Sequence, residues 1–325
     1  MKLTHLASLV AAVATSLIVH ASPAPREYLG ARLEPHHRIL TGAGQVEPSD
    51  FIAFCHALDD KVRPRIFMDY VDVHDDHIED FFAKLAVKQR EIPWPTIPQI
   101  GLGFDYPDGS PYDGKVAAGY YDAHLRTLAL CLKRYGKPVF LRIGYEFHGT
   151  WNGYTPRSYI QAYRRVVDVL RKEHADNVAT IWCAEAGALP ADYMKFYPGD
   201  DYVDWWGIDL FIATDFEKPN PRAFMQNAER HHKPVMIGES TARKVTTLRG
   251  LKSWTEWFVP YFRFIDEHPN VKAFCYINWD WDKYSKLYGN DWWGWGDCRV
   301  VKGSVVATRL EEELSNPIYA QADRP

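Results

Sequence analysis

Two carboxylates at the ends of two apolar runs are the chemistry this chain offers first. In Pro138–Tyr154 (PVFLRIGYEFHGTWNGY), Val139, Leu141 and Ile143 alternate with Phe140, Arg142 and Gly144, and Glu146 falls on the face of Arg142 if the strand continues. Pro234–Thr241 (PVMIGEST) has the same form and ends in Glu239. Charges at such positions are costly unless they pair or react. Two carboxyls facing each other across a cleft are what glycoside hydrolysis requires, one as acid/base and one as nucleophile about 5 Å away in the retaining case. Arg142 is placed to hold one of them ionised by charge and a bidentate fork. An ordinary buried Arg–Glu pair is the plain alternative. Trp151 and Asn152 follow Glu146 closely and are expected to line the cleft.

These groups need a scaffold that brings distant strand ends together. Strand-like segments are read at Ile39–Gly44, Arg65–Val71, Ile97–Phe104, Val139–Phe147, Val178–Ala184, Trp205–Phe211, Val235–Ser240 and Val271–Trp281. Helical periodicity separates them, most clearly over Lys115–Tyr135, Pro156–His174 and Trp254–His268, and a last helix is read at Ser304–Leu314. Eight strands alternating with helices over one core give an α/β fold, the (β/α)8 TIM barrel. In that fold catalytic groups sit at the C-terminal strand ends, where Glu146 ends the fourth strand and Glu239 the seventh. A doubly wound sheet is the competing architecture, but Thr41-Gly42-Ala43-Gly44 lacks the third glycine of a dinucleotide loop.

The motif Arg142-x-x-x-Glu146 with Gly149-x-Trp151 resembles glycoside hydrolase family 26, within clan A, a family best known for endo-β-1,4-mannanases. The resemblance implies Glu146 as acid/base and Glu239 as nucleophile. It further implies a sugar-contacting residue at Tyr145, where the family usually carries His, which marks a divergent branch. The clan often places a Tyr or His after strand six to bond the nucleophile. Asp209 stands there, either replacing that partner or capping a loop. The clan's sugar-site tryptophan after strand eight corresponds to Trp281, or to Trp279. The implied activity is retaining hydrolysis of a β-linked polysaccharide, a β-mannan first. The alternatives are a β-glucan or xylan, or an inactive carbohydrate-binding barrel.

Composition agrees with this reading. The 325 residues are 46% hydrophobic with 12 Trp and 19 Tyr, and aromatic rings suit the apolar faces of sugars. A net charge of −4 gives no footprint for nucleic acid or anionic membrane. Residues 1–21 resemble a secretory signal, with Lys2, an apolar run Leu6–Val19 and a Val19-His20-Ala21 cleavage site, so residues 22–325 are expected as one exported, monomeric catalytic domain. The five cysteines are scattered, and their odd number leaves at least one thiol without an internal partner. No cofactor or metal is expected. His74-Asp75-Asp76-His77 and Asp105, Asp108 and Asp113 are read as loops rather than metal sites, Trp292, Trp293 and Trp295 as a loop cluster that stacks a sugar or packs internally.

Overall fold

The computed structural model describes residues 26–74, 76–290 and 292–322. The signal-like segment and Asp75 of the His74–His77 stretch lie outside them. Eight parallel strands run β1 (Ile39–Ala43), β2 (Ile66–Asp72), β3 (Ile97–Gly103), β4 (Val139–Ile143), β5 (Val178–Glu185), β6 (Trp205–Leu210), β7 (Val235–Ser240) and β8 (Val271–Tyr276). Each pairs with the next, and β1 pairs with both β8 and β2, so the sheet closes into a barrel. The strands are near-continuous apolar runs because helices cover their outer faces and side chains fill the interior. β1 and β4 through β8 are buried along their whole length.

The helix Pro156–Lys172 shows how local sequence sets this arrangement. Thr155 accepts a hydrogen bond from the Ser158 amide at 3.4 Å, and Pro156 opens the first turn. Its stripe of Tyr159, Ala162, Tyr163, Val166, Val167 and Leu170 is buried against the barrel. The expected helix Lys115–Tyr135 is instead two, Asp113–Ala117 and Asp122–Tyr135. Gly119 at φ +88° divides them.

The seam between β1 and β2 is the thin place in the barrel. Only Gly42 and Ala43 pair with β2, whereas seven residues pair across β2 and β3. A short C-terminal strand, β9 (Tyr319–Ala320), fills the lower part of that seam by pairing with Ile39 and Leu40. On the same floor, Arg26 donates to the carbonyls of Ile265 (2.9 Å) and Val271 (2.7 Å). Lys272 meets Glu34 at 3.3 Å, both side chains fully buried. The bottom of the barrel is therefore tied by both ends of the described chain, and the top is left to loops.

Two strand ends differ from expectation, and both bear on the site. β4 stops at Ile143, four residues before the expected Phe147. Gly144 (φ +53°) and Glu146 (φ +52°) turn the chain off the strand, so Glu146 does not share a pleat with Arg142. Phe147 then tucks away from the barrel axis and stacks on Trp182 at 4.4 Å. β8 likewise stops at Tyr276, which places Trp279 in a loop and Trp281 at the start of the helix Trp281–Tyr288.

Candidate active site

The C-terminal strand ends gather Arg142, Asp209 and Glu239 into one buried ion cluster. Arg142 Nη1 donates to Glu239 Oε1 at 2.7 Å, and its Nη2 donates to Asp209 Oδ2. Burial works against the guanidinium charge, but Asp209, Cys183 and Glu239 outweigh it and hold its pKa above the ordinary arginine value. Glycines clear the space. A methyl at Gly238 would sit 2.8 Å from both Arg142 Nε and Asp209 Oδ1. Gln99 Nε2 holds the Gly238 carbonyl at 3.0 Å, which pins the strand just before the carboxylate.

Glu239 has a second donor that sequence reasoning missed. The Tyr70 hydroxyl, from β2, donates to Glu239 Oε1 at 2.8 Å. Burial, then the charge of Glu239, push the Tyr70 pKa well up, so the hydroxyl keeps its proton and stays a donor. Tyr70 lies on the same pleat face as Ile66 and Met68, and Gly101 on β3 leaves room for its ring. That alternation was visible in the sequence; the partner 169 positions away was not. Asp209 is not this donor. It accepts from Arg142 and from the Cys183 thiol at 3.4 Å, and so steadies the guanidinium instead.

Glu146 is held differently. Its backbone sits in the left-handed region, a strained conformation for a non-glycine residue of order 1 kcal/mol. Asn152 Nδ2 secures the turn by donating to the carbonyls of Tyr145 (2.9 Å) and Glu146 (3.1 Å). One carboxyl oxygen, Oε2, accepts from Trp151 Nε1 at 2.8 Å. A side chain at Gly149 would collide with that indole, which gives the Gly149-x-Trp151 spacing a steric reason. Desolvation first, then the charges of Asp209, Glu239 and Glu185, push the Glu146 pKa well above the usual carboxylate range. Such a carboxyl is suited to donating a proton rather than to holding a charge. His148 two residues on is held down to about 4 by burial, which leaves it neutral.

The remaining expected residues fall into two groups. Tyr145 meets the cluster: its ring lies 5.0 Å from the Arg142 guanidinium carbon and 5.6 Å edge-on to Tyr70. Asp72 and Asp105 are charged neighbours that raise its pKa after burial does. Trp279 and Trp281 are almost wholly buried and pack on each other at 5.3 Å. Trp281 Nε1 donates to Thr241 Oγ1 at 3.1 Å, and Trp295 lies over Trp281 at 4.6 Å. Trp292 joins that internal packing, whereas Trp293 is 61% exposed. Asp108 accepts from Ser110 within its own turn, whereas Asp105 accepts from Tyr154 and Asp113 from Ser158, beyond their own loop. Among the described residues no group of three or more His, Cys, Asp or Glu is placed to hold a metal ion. All five cysteines are free and buried.

Comparison with known proteins meets the resemblance drawn from residues 142–151. The model of Glycosyl hydrolase family 26 matches residues 104–235, which contains Arg142 and Glu146 and stops just before Glu239. A beta-1,3-xylanase of Alcaligenes sp is 32% identical over 228 residues, covering 63% of this chain and 48% of that protein. Beta-1,3-xylanase TXYA of Vibrio sp is 33% identical over 228 residues, covering 63% of this chain and 49% of that protein. The chain thus spans about half the length of these relatives. The fold is shared with the family 26 beta-mannanase BoMan26A of Bacteroides ovatus, at TM-score 0.59, 15% identity, and coverage of 88% of this chain and 90% of that one. It is shared equally with the Bacillus subtilis mannanase BCman, at TM-score 0.62, 16% identity, and coverage of 91% and 90%.

Proposed function

We propose, from the premise that this chain is a divergent relative of glycosyl hydrolase family 26, that it is a retaining β-glycoside hydrolase. The observation that carries the reading is the doubly bonded Glu239 carboxylate, with Arg142 and Tyr70 on Oε1, beside a Glu146 carboxyl whose pKa is pushed up. Both donors fall on one oxygen of Glu239, and no described side chain donates to Oε2, which leaves that oxygen as the attacking atom. Glu239 attacks the anomeric carbon while Glu146 gives its proton to the departing glycosidic oxygen. The C–O bond to the leaving sugar breaks as the glycosyl–Glu239 ester forms. Glu146, now a carboxylate, takes a proton from water, which attacks the same carbon and releases Glu239. The product keeps the β configuration.

A β-linked polysaccharide is the substrate class, and β-1,3-xylan is the polymer we place first. The two relatives at 32% and 33% identity carry that activity in their names, and the mannanases share the fold alone. Tyr145, where the mannanase pattern has His, also favours a different sugar beside the cleaved bond. β-Mannan stands second, on the shared barrel. An inactive binding barrel has no use for a clamped glutamate together with a second one whose pKa is pushed up. The signal-like residues 1–21 favour export of the enzyme. The test is a panel of β-1,3-xylan, β-1,4-xylan, β-mannan and β-glucan, with product size and anomer read by NMR. Release of β-anomeric oligosaccharides from one polymer is expected. Turnover of none, or α-anomeric first product, contradicts the reading.

A further inference from the structure

Arg243, four residues beyond Glu239, is a cation with no hydrogen-bond acceptor among the described residues. Its guanidinium carbon lies 3.8 Å from the centre of the Trp295 ring. Its Nε is buried without a hydrogen-bond partner, and the guanidinium forms no ion pair among the described residues. Burial lowers its pKa, and the charges that oppose this are Glu185, Asp215 and Glu146. The first two are committed elsewhere. Both Glu185 oxygens accept from loop amides, those of Gly187 (2.6 Å) and Ala188 (2.8 Å). Asp215 pairs with Lys218 at 2.8 Å. The Nη groups are not among the buried unpaired atoms, so they are the donors left open to a ligand.

The platform beneath it is rigid. Trp295 rests on Trp281, and the β7 and β8 loops are laced together by Lys244 N–H to the Trp295 carbonyl (2.9 Å) and by Thr246 and Thr247 hydroxyls to the carbonyls of Asp297 and Arg299. Arg243 is thereby preorganised, with little side-chain entropy left to lose on binding. Arg243 follows β7, on the side of the barrel mouth where Glu185 ends β5 and Asp215 follows β6, and Glu146 is among the charges that act on it. Glu146 is also the group that protonates the departing oxygen.

We propose that Arg243, stacked on Trp295, is a sugar-binding subsite on the leaving-group side of the cleft, its guanidinium donating to hydroxyl oxygens of the first departing sugar unit. This rests on the hydrolase reading above. The hydroxyl oxygens of a neutral sugar are acceptors that such a donor fork takes.

Arg243→Met and Arg243→Lys are compared with the wild type on two substrates carrying the same glycone: the preferred polymer and an aryl glycoside that has no leaving sugar. Thermal unfolding reports whether each variant is folded. A charged donor lost from a sugar hydroxyl predicts a fall in kcat/KM on the polymer of about 10- to 100-fold, most of it in KM for Met, with a loss on the aryl glycoside of at most about threefold. Lys keeps the charge but loses the fork and the stack, so it recovers less than half of the logarithmic loss. Equal losses on both substrates, or no loss on the polymer from a folded variant, overturn the subsite. Wild-type protein that cleaves no glycoside overturns the hydrolase reading instead, and the two failures are distinct.

Discussion

The two glutamates of the site sit on opposite kinds of backbone. Glu239 is the penultimate residue of β7, still within the strand where its register against β6 shifts by one residue, with Arg142 and Tyr70 both donating to one oxygen and Gln99 pinning the preceding carbonyl. Glu146 has left β4, sits at positive φ, and has one donor, the half-exposed Trp151. The clamped group has cationic and hydroxyl donors, which suit a carboxylate that must be charged when it attacks. The turn-borne group has burial and three like charges, which suit a carboxyl that must carry a proton. Two identical side chains thus acquire opposite roles from their surroundings. The difference teaches that the strand supplies fixed position and the strained turn supplies an adjustable proton donor.

Breaking the clamped side should do the most damage. Glu239→Ala removes the attacking atom, and turnover should fall by about 10^4-fold or more on every substrate, activated or not. A residual rate within about tenfold of wild type, measured on an aryl glycoside, contradicts the assignment. Arg142→Met comes next. It leaves Asp209 and Glu239 buried without their cation, which should cost about 3–5 kcal/mol in urea unfolding. For the folded fraction, kcat should drop by about 100-fold. Arg142→Lys keeps the charge without reaching both carboxylates, so it too should be impaired and its acidic limb in kcat/KM should move up. A folded Arg142→Lys with the wild-type rate and acidic limb reduces Arg142 to a packing residue.

The turn-borne side should respond in pH rather than in rate. Trp151→Phe keeps the ring but deletes the N–H that favours the ionised form of Glu146. The Glu146 pKa should rise further, and the alkaline limb of kcat/KM should shift to higher pH by up to about one unit, the worth of one hydrogen bond. An unmoved limb contradicts the bond seen at 2.8 Å. The smallest effect is on stability. A carboxyl whose folded pKa lies above its unfolded value stabilises fully below the unfolded pKa and loses that contribution as pH rises toward the folded one. Glu146→Gln, which does not ionise, should therefore match the wild type at low pH. It should exceed it by roughly 1 kcal/mol at neutral pH while losing activity. A variant less stable than wild type at neutral pH contradicts the cost assigned to that half-buried charge.

The same contrast explains what could be read from residues alone. The eight apolar runs, the helix stripe of Tyr159 to Leu170, and the strand ends carrying Arg142 and Glu239 were legible, because burial and periodicity are local signals. The turn under Glu146 was not, since period-two alternation carries on through a left-handed residue; Gly144, two positions earlier, was the available hint. Tyr70 and Asp209 had visible faces but invisible partners, which only barrel closure brings together. The tryptophans after β8 were found, but their packing was not, because Trp281 begins a helix and Trp295 returns over it. Arg243 carried no motif at all; its missing acceptor is a property of the folded loops.

The central claim is the division of labour between Glu239 and Glu146, and covalent trapping tests it most directly. A 2-deoxy-2-fluoro glycoside with an activated leaving group, matched to the preferred sugar, slows release of the glycosyl-enzyme enough for mass spectrometry of its peptides. The account predicts one glycosyl adduct on the peptide containing Glu239, formed also by Glu146→Ala and lost in Glu239→Ala. A label on Glu146, or efficient turnover with no adduct and an inverted product, contradicts it.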